Sequence, residues 1–264
     1  AGNDAVRNRD KGHCMNEQVD ALILAGGDGT VIDPVVPVKG LVPIAGRPMT
    51  AWVLDALRAA SSVRRIVLIA PESAGLDNWA DVADDIVLSN DGMADNIAAG
   101  LDALTCDIPV IGVTSDIPML TAAAVDDLVA QTFARKVQLS YPLMFEDDLL
   151  AQFPGSKRTF IKIKDGRVTG GNAMVFDPAL FRRLTDFAQK VFDARKSPLK
   201  LARIVGPAFV GKLVAGQLDP GDVERRLHKL LDAQVAAVYT RHACLGADVD
   251  KPADVAVAVA ALRA

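Results

Sequence analysis

Apolar runs alternate with amphipathic segments along the first half of the chain. The runs contain few polar residues, which is typical of strands buried on both faces of a sheet. They cover 21–25, 64–70, 84–88, 107–115 and 137–145. Between them, helical spacing of apolar residues predicts helices at 48–60, which begins with Pro48, at 92–104, and at 121–134, with Thr121 as N-cap. The alternation predicts an α/β fold of Rossmann-like type, a mostly parallel sheet with helices on both faces.

The pattern changes in the second half of the chain. The segment 159–171 is predicted to be a β-hairpin with Asp165 and Gly166 at its turn, followed by a strand at 172–178. The remaining predicted elements are helices at 178–196, 198–205 and 219–233, a strand at 236–240 and a closing helix at 252–264. We therefore expect a single domain over 20–264, with 178–233 as a mainly helical excursion on the acceptor side.

Composition and charge limit the classes of function. The chain has 264 residues, 50% of them hydrophobic, and a formal net charge of −4, which argues against general binding to nucleic acid or anionic membranes. The three cysteines, Cys14, Cys106 and Cys244, fit reduced thiols in a cytoplasm better than a disulfide framework. No apolar run reaches the length of a membrane span. We expect the polar segment 1–19 to be a disordered leader or an expression tag.

A glycine-rich loop, AGGDGT at 25–30, follows the first predicted strand, and a lysine stands downstream at position 39. Open α/β folds bind ligands at the carboxyl ends of parallel strands, where glycines let backbone N–H groups approach phosphate oxygens. The loop fits neither the P-loop pattern nor GxGxxG, and a simple tight turn is the alternative. The predicted nucleotide-binding residues in this region are Ala25, Gly26, Gly27, Gly29, Thr30 and Lys39.

Together with VKGLVPIAGRPM at 38–49, the loop resembles the opening signature of the MobA-like nucleotidyltransferases, relatives of the sugar-nucleotide pyrophosphorylases. The resemblance implies the nucleotide-diphospho-sugar transferase type of α/β fold, with Lys39 contacting the phosphates of a nucleoside triphosphate. Two positions depart from the family pattern: Val31 replaces the usual arginine, and Val38 replaces the usual proline. Part of the triphosphate would then need a different positive charge, for which Arg47 is a candidate.

An aspartate lies at the tip of the strand predicted over 107–115. Asp116 would face the same crevice as the glycine-rich loop, and Mg²⁺ prefers one or two carboxylates together with phosphate oxygens. It also matches the family's D-x-P element, whose aspartate coordinates the metal. A helix cap is the alternative, because Asp116 and Thr121 both precede a helical segment.

The segment LGADVDKPADVAVAV, at 245–259, is similar to the acidic segment that closes many family members. The resemblance implies that one of its acidic side chains completes the metal site, with Asp250 as the first candidate and Asp248 as the second. Capping is the alternative role for Asp250. Asp254, just inside the next predicted helix, is expected to interact with the helix dipole.

Two further segments resemble substrate-binding parts of the family. The segment 89–104 matches the part that contacts the nucleobase, and its candidates are Gly92, Met93 and Asn96, although Asn96 has a local hydrogen bond as its alternative. The segment 168–178 matches the part that borders the acceptor, with a β-bulge as the alternative. Its acceptor-binding candidates are Gly170, Gly171 and Asn172, and second-choice candidates on a basic helical stretch are Arg195, Lys196 and Lys200.

These features predict a Mg²⁺-dependent nucleotidyltransferase with Lys39 and Asp116 as catalytic residues and Asp116 and Asp250 as metal ligands. The enzyme would transfer NMP from an NTP, with CTP or GTP favoured by the resemblance, to a phosphorylated small-molecule acceptor and release pyrophosphate. We also consider a homodimer. One alternative is a nucleotide-sugar-dependent glycosyltransferase, disfavoured because Asp116 is not part of a D-x-D pattern. Another is a catalytically impaired nucleotide-binding regulator, which Val31 and Val38 leave open.

Overall fold

The predicted alternation of strands and helices is present in the computed structural model, which describes residues 17–74, 83–104, 107–194 and 197–263. The strands are β1 (Val19–Leu24), β2 (Pro43–Ile44), β3 (Arg47–Pro48), β4 (Val63–Ala70), β5 (Asp85–Leu88), β6 (Val110–Thr114), β7 (Leu139–Phe145), β8 (Ile161–Ile163), β9 (Gly166–Gly170), β10 (Ala173–Phe176) and β11 (Val235–Tyr239). The helices are α1 (Met49–Ala59), α2 (Met93–Ala103), α3 (Ala122–Arg135), α4 (Glu146–Gln152), α5 (Pro178–Arg183), α6 (Thr185–Ala194), α7 (Pro198–Val205), α8 (Pro207–Val214), α9 (Pro220–Leu231) and α10 (Pro252–Arg263).

The main sheet is mostly parallel, as predicted. Its strands lie in the order β5–β4–β1–β6–β10–β7, and β10 is antiparallel to both of its neighbours. Strand β11 runs parallel to β7, and β9 and β8 continue the sheet as an antiparallel hairpin. In β1, Leu24 pairs with Ile69 of β4 and with Thr114 of β6. These three parallel strands end together, so the loops that follow them begin at one edge of the sheet.

Helices cover both faces of the sheet, which confirms the predicted fold class. Successive residues of β1 face opposite sides. Ile23 is buried in a cluster with Leu57 of α1 and Leu128 of α3. Leu22 is buried on the other side, in a cluster with Ile97 of α2. Full burial of each such side chain stabilises the fold by about 1.5–3 kcal/mol.

Strands β9 and β10 pair with β7 in two different registers. Leu143 of β7 pairs with Gly170, whereas Ser140 pairs with Val175, so the register shifts by two residues across residues 171–172. The β-bulge that was the alternative interpretation of this segment is therefore present. The bulge lets one edge of β7 bond first to β10 and then to β9.

Two local predictions are corrected. In the hairpin, Ile163 pairs with Gly166, so the turn residues are Lys164 and Asp165, one position earlier than predicted. The helix predicted over 178–196 is divided at Leu184 into α5 and α6. The sequence pattern also gave no prediction for α4 and α8, which are too short for a clear period.

The predicted helical excursion packs on the rest of the chain through several of its helices, including α6. Phe192 of α6 lies in the same buried cluster as Leu22 of the central strand. Lys200 is exposed in α7, while the other two second-choice acceptor residues, Arg195 and Lys196, lie outside the described residues. The single-domain assignment remains a prediction.

Other sequence expectations can be placed only in part. Residues 1–16 of the expected leader lie outside the described residues, as do Cys14 and Cys106, whereas Cys244 is a buried free thiol. Among the helices of the described ranges, none has the length and apolar character needed to cross a membrane.

Candidate active site

The glycine-rich loop and Lys39 form one hydrogen-bonded unit after β1. The N–H of Lys39 donates to the Gly27 carbonyl, and the N–H of Gly29 donates to the Pro37 carbonyl, both at 3.0 Å. A Cβ at Gly29 would lie 2.4 Å from the Val36 carbonyl oxygen, so this close approach requires glycine. Gly27, with a φ of 98°, lies against the stem of Lys39. The loop thus fixes where the Lys39 side chain begins.

Residues 26–28 are exposed, and their backbone N–H groups have no acceptor within the part of the chain that the structure describes. The donors predicted at Gly29 and Thr30 are engaged inside the loop, because Gly29 bonds as above and both the N–H and the hydroxyl of Thr30 donate to Asp28 at 2.9 and 2.6 Å. Ala25 is buried, and its N–H donates to a β4 carbonyl at 2.7 Å. The loop donors without an acceptor in the described ranges are thus the amides of residues 26–28, and the nucleotide-binding role of the loop remains a prediction.

The ammonium group of Lys39 lies between two carboxylates. Its Nζ donates to Asp116 Oδ2 at 2.5 Å and also to Asp250 Oδ1. Burial alone would lower the pKa of Lys39, whose side chain is only 12% exposed, but the charges and hydrogen bonds of Asp116 and Asp250 outweigh it and raise the pKa. Lys39 therefore carries a full positive charge at neutral pH.

Asp116 follows β6 and has separate partners for its oxygens. Thr114 Oγ1 donates to Asp116 Oδ1 at 2.5 Å, which leaves Oδ2 to Lys39. The Asp116 carbonyl accepts a hydrogen bond from the Val249 N–H at 2.8 Å, which brings the C-terminal acidic segment beside it. The capping alternative for Asp116 is wrong, because the N-cap of α3 is Thr121, whose side chain accepts from the first turn at 3.3 Å.

Asp248 and Asp250 join Asp116 in one acidic cluster. Each residue offers a carboxylate oxygen, and these oxygens lie within 4.8 Å of one another. At the start of α10, the Asp254 carboxylate accepts from the N–H groups of Asp250 and Lys251, both at 3.1 Å, and capping by Asp250 remains the alternative. The structure thus brings together the predicted residues of the metal site and Lys39.

Arg158 is a residue of the site that sequence reasoning missed. Its Nη1 forms an ion pair with Asp248 Oδ1, and the two side chains are 13% and 21% exposed. Burial raises the pKa of Asp248 to about 6 against the opposing charge of Arg158, and the nearby Asp116 and Asp250 contribute to the rise. Arg158 lies between α4 and β8, where neither periodicity nor a motif marks it. The only available signal was that a buried Asp248 would need a cationic partner.

The candidates for nucleobase binding lie at the start of α2, which follows β5. Gly92 is the N-cap residue, and Met93 packs against the buried cluster beneath α2. Asn96 Nδ2 donates to the Asp91 carbonyl at 3.2 Å, so the local hydrogen bond that was the alternative is present. Its Oδ1 is buried and has no donor among the described residues. The nucleobase role of these residues remains a prediction.

The candidates for acceptor binding lie at the β-bulge. The Tyr141 hydroxyl donates to the Gly171 carbonyl at 2.8 Å, and a Cβ at Gly170 would lie 2.4 Å from the same hydroxyl. Asn172 accepts from the Thr114 N–H at 3.0 Å through its carbonyl, which places it beside the strand end that carries the aspartate. Its Nδ2 is buried and finds no acceptor in the described ranges. Their contact with an acceptor remains a prediction.

Arg47, considered as a substitute for the missing family arginine, has other partners. It donates to Asp55 at 2.8 Å, and its guanidinium carbon lies 4.5 Å from the centroid of the Trp52 ring. Val31, at the position of that arginine, is 61% exposed. The cations observed at the acidic cluster are Lys39 and Arg158, so the suggestion for Arg47 gains no support.

Several known proteins resemble this chain in sequence or in fold. The model of the family described as MobA-like NTP transferase domain matches residues 21–196. A hypothetical transferase structure from Thermus thermophilus is 33% identical, with a TM-score of 0.79 over 90% of this chain and 99% of that chain. The structure of a CMP:2-keto-3-deoxy-manno-octonic acid synthetase, 13% identical, shares the fold with a TM-score of 0.64 over 93% of this chain and 98% of that chain.

Among curated proteins, the bifunctional protein GlmU of Cupriavidus taiwanensis is 33% identical over 122 residues. That match covers 45% of this chain and 26% of GlmU. A GlmU from Acidithiobacillus ferrooxidans is 31% identical over 157 residues, which are 57% of this chain and 32% of that protein. The chain therefore spans only about a quarter to a third of the length of the curated relatives it matches.

Proposed function

The chain belongs to the MobA-like NTP transferase family, and we propose that it is a Mg²⁺-dependent nucleotidyltransferase. It transfers the NMP unit of an NTP to a phosphorylated small-molecule acceptor and releases pyrophosphate. One observation carries this proposal: a buried ammonium, three carboxylates and a loop with unused amides meet at the edge where β1 and β6 end.

The donor set fits Mg²⁺. Its oxygens come from carboxylates, the hard ligands that this ion prefers, and they are spaced closely enough to share one cation. Asp116 and Asp250 would hold the ion, and Thr114 orients Asp116 through its hydrogen bond. When bound, the ion would supply positive charge to the phosphate oxygens of the nucleotide.

The residues of the chain account for the remaining requirements of the transfer. The amides of residues 26–28 bind phosphate oxygens, and Lys39 neutralises the charge that develops on them. An oxygen of the acceptor phosphate attacks the α-phosphorus in line, forming a new O–P bond as the bond to the β-phosphate oxygen breaks and pyrophosphate leaves. Catalysis of this kind needs positioning and charge, not a nucleophilic side chain.

CTP and GTP are the favoured nucleotides by family resemblance. Two proteins that share the fold at low identity are named for cytidine chemistry: the synthetase above, solved with CTP, and the 2-C-methyl-D-erythritol 4-phosphate cytidylyltransferase from Thermus thermophilus, at 18% identity and a TM-score of 0.55. We therefore place CTP first in the experiments.

The proposal is tested in two steps. Thermal-shift measurements with each of the four NTPs, with and without Mg²⁺, identify the nucleotide, since a ligand that binds the folded state raises Tm. Pyrophosphate release is then measured with that nucleotide and a panel of sugar, isoprenoid and pterin phosphates. We expect Mg²⁺-dependent release with at least one acceptor, and loss of release by orders of magnitude in Lys39→Ala with an unchanged circular dichroism spectrum.

Each alternative function predicts a different outcome of the same measurements. Nucleotide binding without release of pyrophosphate from any acceptor would favour the regulator. Turnover of a nucleotide sugar, without turnover of any NTP, would favour the glycosyltransferase.

A further inference from the structure

The ammonium group of Lys39 engages oxygens of Asp116 and Asp250, the two carboxylates that would hold a divalent ion. Nζ contacts Asp116 Oδ2 at 2.5 Å and also contacts Asp250 Oδ1. A divalent ion held by these carboxylates would compete with the ammonium group for the same oxygens. Lysine and metal are therefore expected to exclude each other wherever both need these oxygens.

Protein cations already neutralise the acidic cluster. Lys39 pairs with Asp116 and Asp250, and Arg158 pairs with Asp248. A metal ion that approaches this arrangement meets a buried positive charge instead of three unpaired carboxylates. By Coulomb's law, a positive charge at the cluster opposes the approach of a second cation, and a partly buried site screens this repulsion less than water does.

The side chain of Lys39 also begins close to the amides that would bind a triphosphate. The backbone N–H of Lys39 donates to the Gly27 carbonyl, and a Cβ at Gly27 would lie 3.4 Å from the Cβ and Cδ of Lys39, so the side chain starts beside the unused amides of residues 26–28. A triphosphate bound by these amides would bring several anionic oxygens to the root of the Lys39 side chain. A lysine has a flexible stem and a compact charge, so it can move between two anionic partners without a change in the backbone.

We propose that Lys39 is an exchangeable counter-ion, which neutralises Asp116 and Asp250 while the nucleotide is absent and moves to the triphosphate when it binds. The move removes the ammonium group from both carboxylates, which would then hold the metal. Nucleotide and metal then bind cooperatively, and by thermodynamic reciprocity each raises the affinity for the other. The inference rests on the proposed function for the identity of the anion, but the exclusion of the metal by Lys39 does not depend on turnover.

The test measures Mn²⁺ binding to the nucleotide-free protein by the electron paramagnetic resonance signal of free Mn²⁺. Lys39→Met keeps most of the apolar stem and removes the charge. We expect this variant to bind Mn²⁺ roughly 10- to 100-fold more tightly than the wild type. Lys164→Met is the matched control, since Lys164 is an exposed lysine paired with Asp219 at 3.2 Å, and we expect its Mn²⁺ affinity to equal that of the wild type.

The wild-type protein provides a second measurement that does not depend on any variant. A non-hydrolysable CTP or GTP analogue with an α,β-methylene bridge, whichever raises Tm, should increase the Mn²⁺ affinity of the wild type by a similar factor. The same analogue should increase the affinity of Lys39→Met much less. Mn²⁺ bound directly by the analogue is subtracted with a titration that contains no protein.

Three outcomes would overturn the inference. The first is that Lys39→Met binds Mn²⁺ no more tightly than the wild type, or not detectably. The second is that Lys39→Met/Asp116→Asn shows the same gain in Mn²⁺ affinity as Lys39→Met. The third is that the nucleotide analogue leaves the Mn²⁺ affinity of the wild type unchanged. The proposed function fails separately: a protein that never releases pyrophosphate, while Lys39→Met still gains Mn²⁺ affinity, refutes the transferase activity and supports the counter-ion role.

Discussion

Thr114 controls which oxygen of Asp116 faces Lys39 and, in the proposed function, the metal. Its hydroxyl donates to Oδ1 at 2.5 Å, and the other oxygen is thereby directed at Lys39. In metal sites, partners that orient a ligand in this way contribute strongly to affinity. Thr114 is thus a positioning residue. The fold places it beside Asp116, because it is the last residue of β6.

We expect Thr114→Val to weaken Mn²⁺ binding to the nucleotide complex by about tenfold, because the side chain keeps its shape and loses the hydrogen bond. Thr114→Ser, which keeps the hydroxyl, should restore most of the affinity. A paramagnetic resonance titration of both variants gives the comparison. Identical affinities for the valine variant and the wild type would contradict this role.

Asp248 predicts a specific dependence of stability on pH. Its pKa is raised to about 6 in the folded protein, chiefly by burial, so the folded state binds this proton more tightly than the unfolded chain does. The stabilisation by the bound proton is complete below about pH 4, the ordinary range of an aspartate, and is lost as the pH rises through about 6.

Urea unfolding in the presence of EDTA tests this dependence. Between pH 4 and pH 7.5, the free energy of unfolding of the wild type should fall by about 2–3 kcal/mol more than that of Asp248→Asn. Asp55→Asn, which removes an exposed carboxylate of α1 paired with Arg47, is the control and should follow the wild type. Parallel curves for Asp248→Asn and the wild type would mean that Asp248 titrates normally.

At the scale of single residues, the site residues that could be predicted from the sequence are those that belong to a recognisable motif. Lys39 and Asp116 follow a glycine-rich loop and a strand end, and both features are visible in the sequence. Arg158 could not be predicted, because its partner is 90 positions away in the chain and its own segment has no regular pattern. Which amides of the loop are unused was also invisible, since it depends on the bonds of Gly29 and Thr30.

At the scale of elements, the loop between β1 and Lys39 keeps its shape because the backbone at Gly29 lies close to the backbone of residues 36–38. Gly29 has no room for a side chain beside the Val36 carbonyl, whereas a Cβ at Gly26 would meet nothing within 4 Å. Close backbone approach therefore requires glycine at position 29, whereas no contact in the structure requires glycine at position 26.

We expect Gly29→Ala to lower the free energy of unfolding by about 1–3 kcal/mol, because the added Cβ forces the backbone apart. Gly26→Ala is the matched control and should change stability by less than about 0.5 kcal/mol. Chemical denaturation of both variants measures the difference. Equal stabilities would show that the loop adapts without cost.

The boundaries of most elements were predictable, and the exceptions have local causes. Strands β1, β4 and β6 are apolar runs whose type was clear from the sequence. The hairpin turn was misplaced by one residue because Gly166, at a φ of 143°, begins β9 instead of completing the turn. The register shift between β9 and β10 depends on pairing with β7, which lies outside the segment itself.

At the scale of the whole molecule, the helices after β10 pack on the central sheet at several places, one of which is the aromatic side chain of Phe192. Phe192 of α6 is buried with Leu22 of β1 and with α2. This packing predicts that the helical excursion and the sheet unfold together. It could not be deduced from the sequence, because the pattern of α6 does not show which face of the sheet it covers.

We expect Phe192→Ala to lower the free energy of unfolding by about 3 kcal/mol through the cavity that it leaves. Leu199→Ala, at an exposed position of α7, is the control and should have an effect below about 0.5 kcal/mol. Circular dichroism and tryptophan fluorescence should follow one common transition in the wild type. Two separate transitions would contradict the single domain predicted over 20–264.

The homodimer considered from the sequence could in principle form by pairing of two copies at the sheet edge, strand β11. The N–H of Ala237 donates to Glu224 Oε1 at 2.6 Å, and its carbonyl accepts from Arg135 at 3.2 Å. Side chains thus cover this part of the edge, which disfavours pairing of two copies through β11. The oligomeric state itself remains a prediction, which light scattering on the purified protein would measure.

The central claim is that polyphosphate, Lys39 and a divalent ion meet where β1 and β6 end. Its most direct test is a crystal structure of the protein with Mg²⁺ and the α,β-methylene analogue of the nucleotide that raises Tm. We predict phosphate oxygens at the amides of residues 26–28, the metal on Asp116 and Asp250, and Lys39 Nζ on the triphosphate. A triphosphate bound away from this edge, or Lys39 still held between the two carboxylates, would contradict the account.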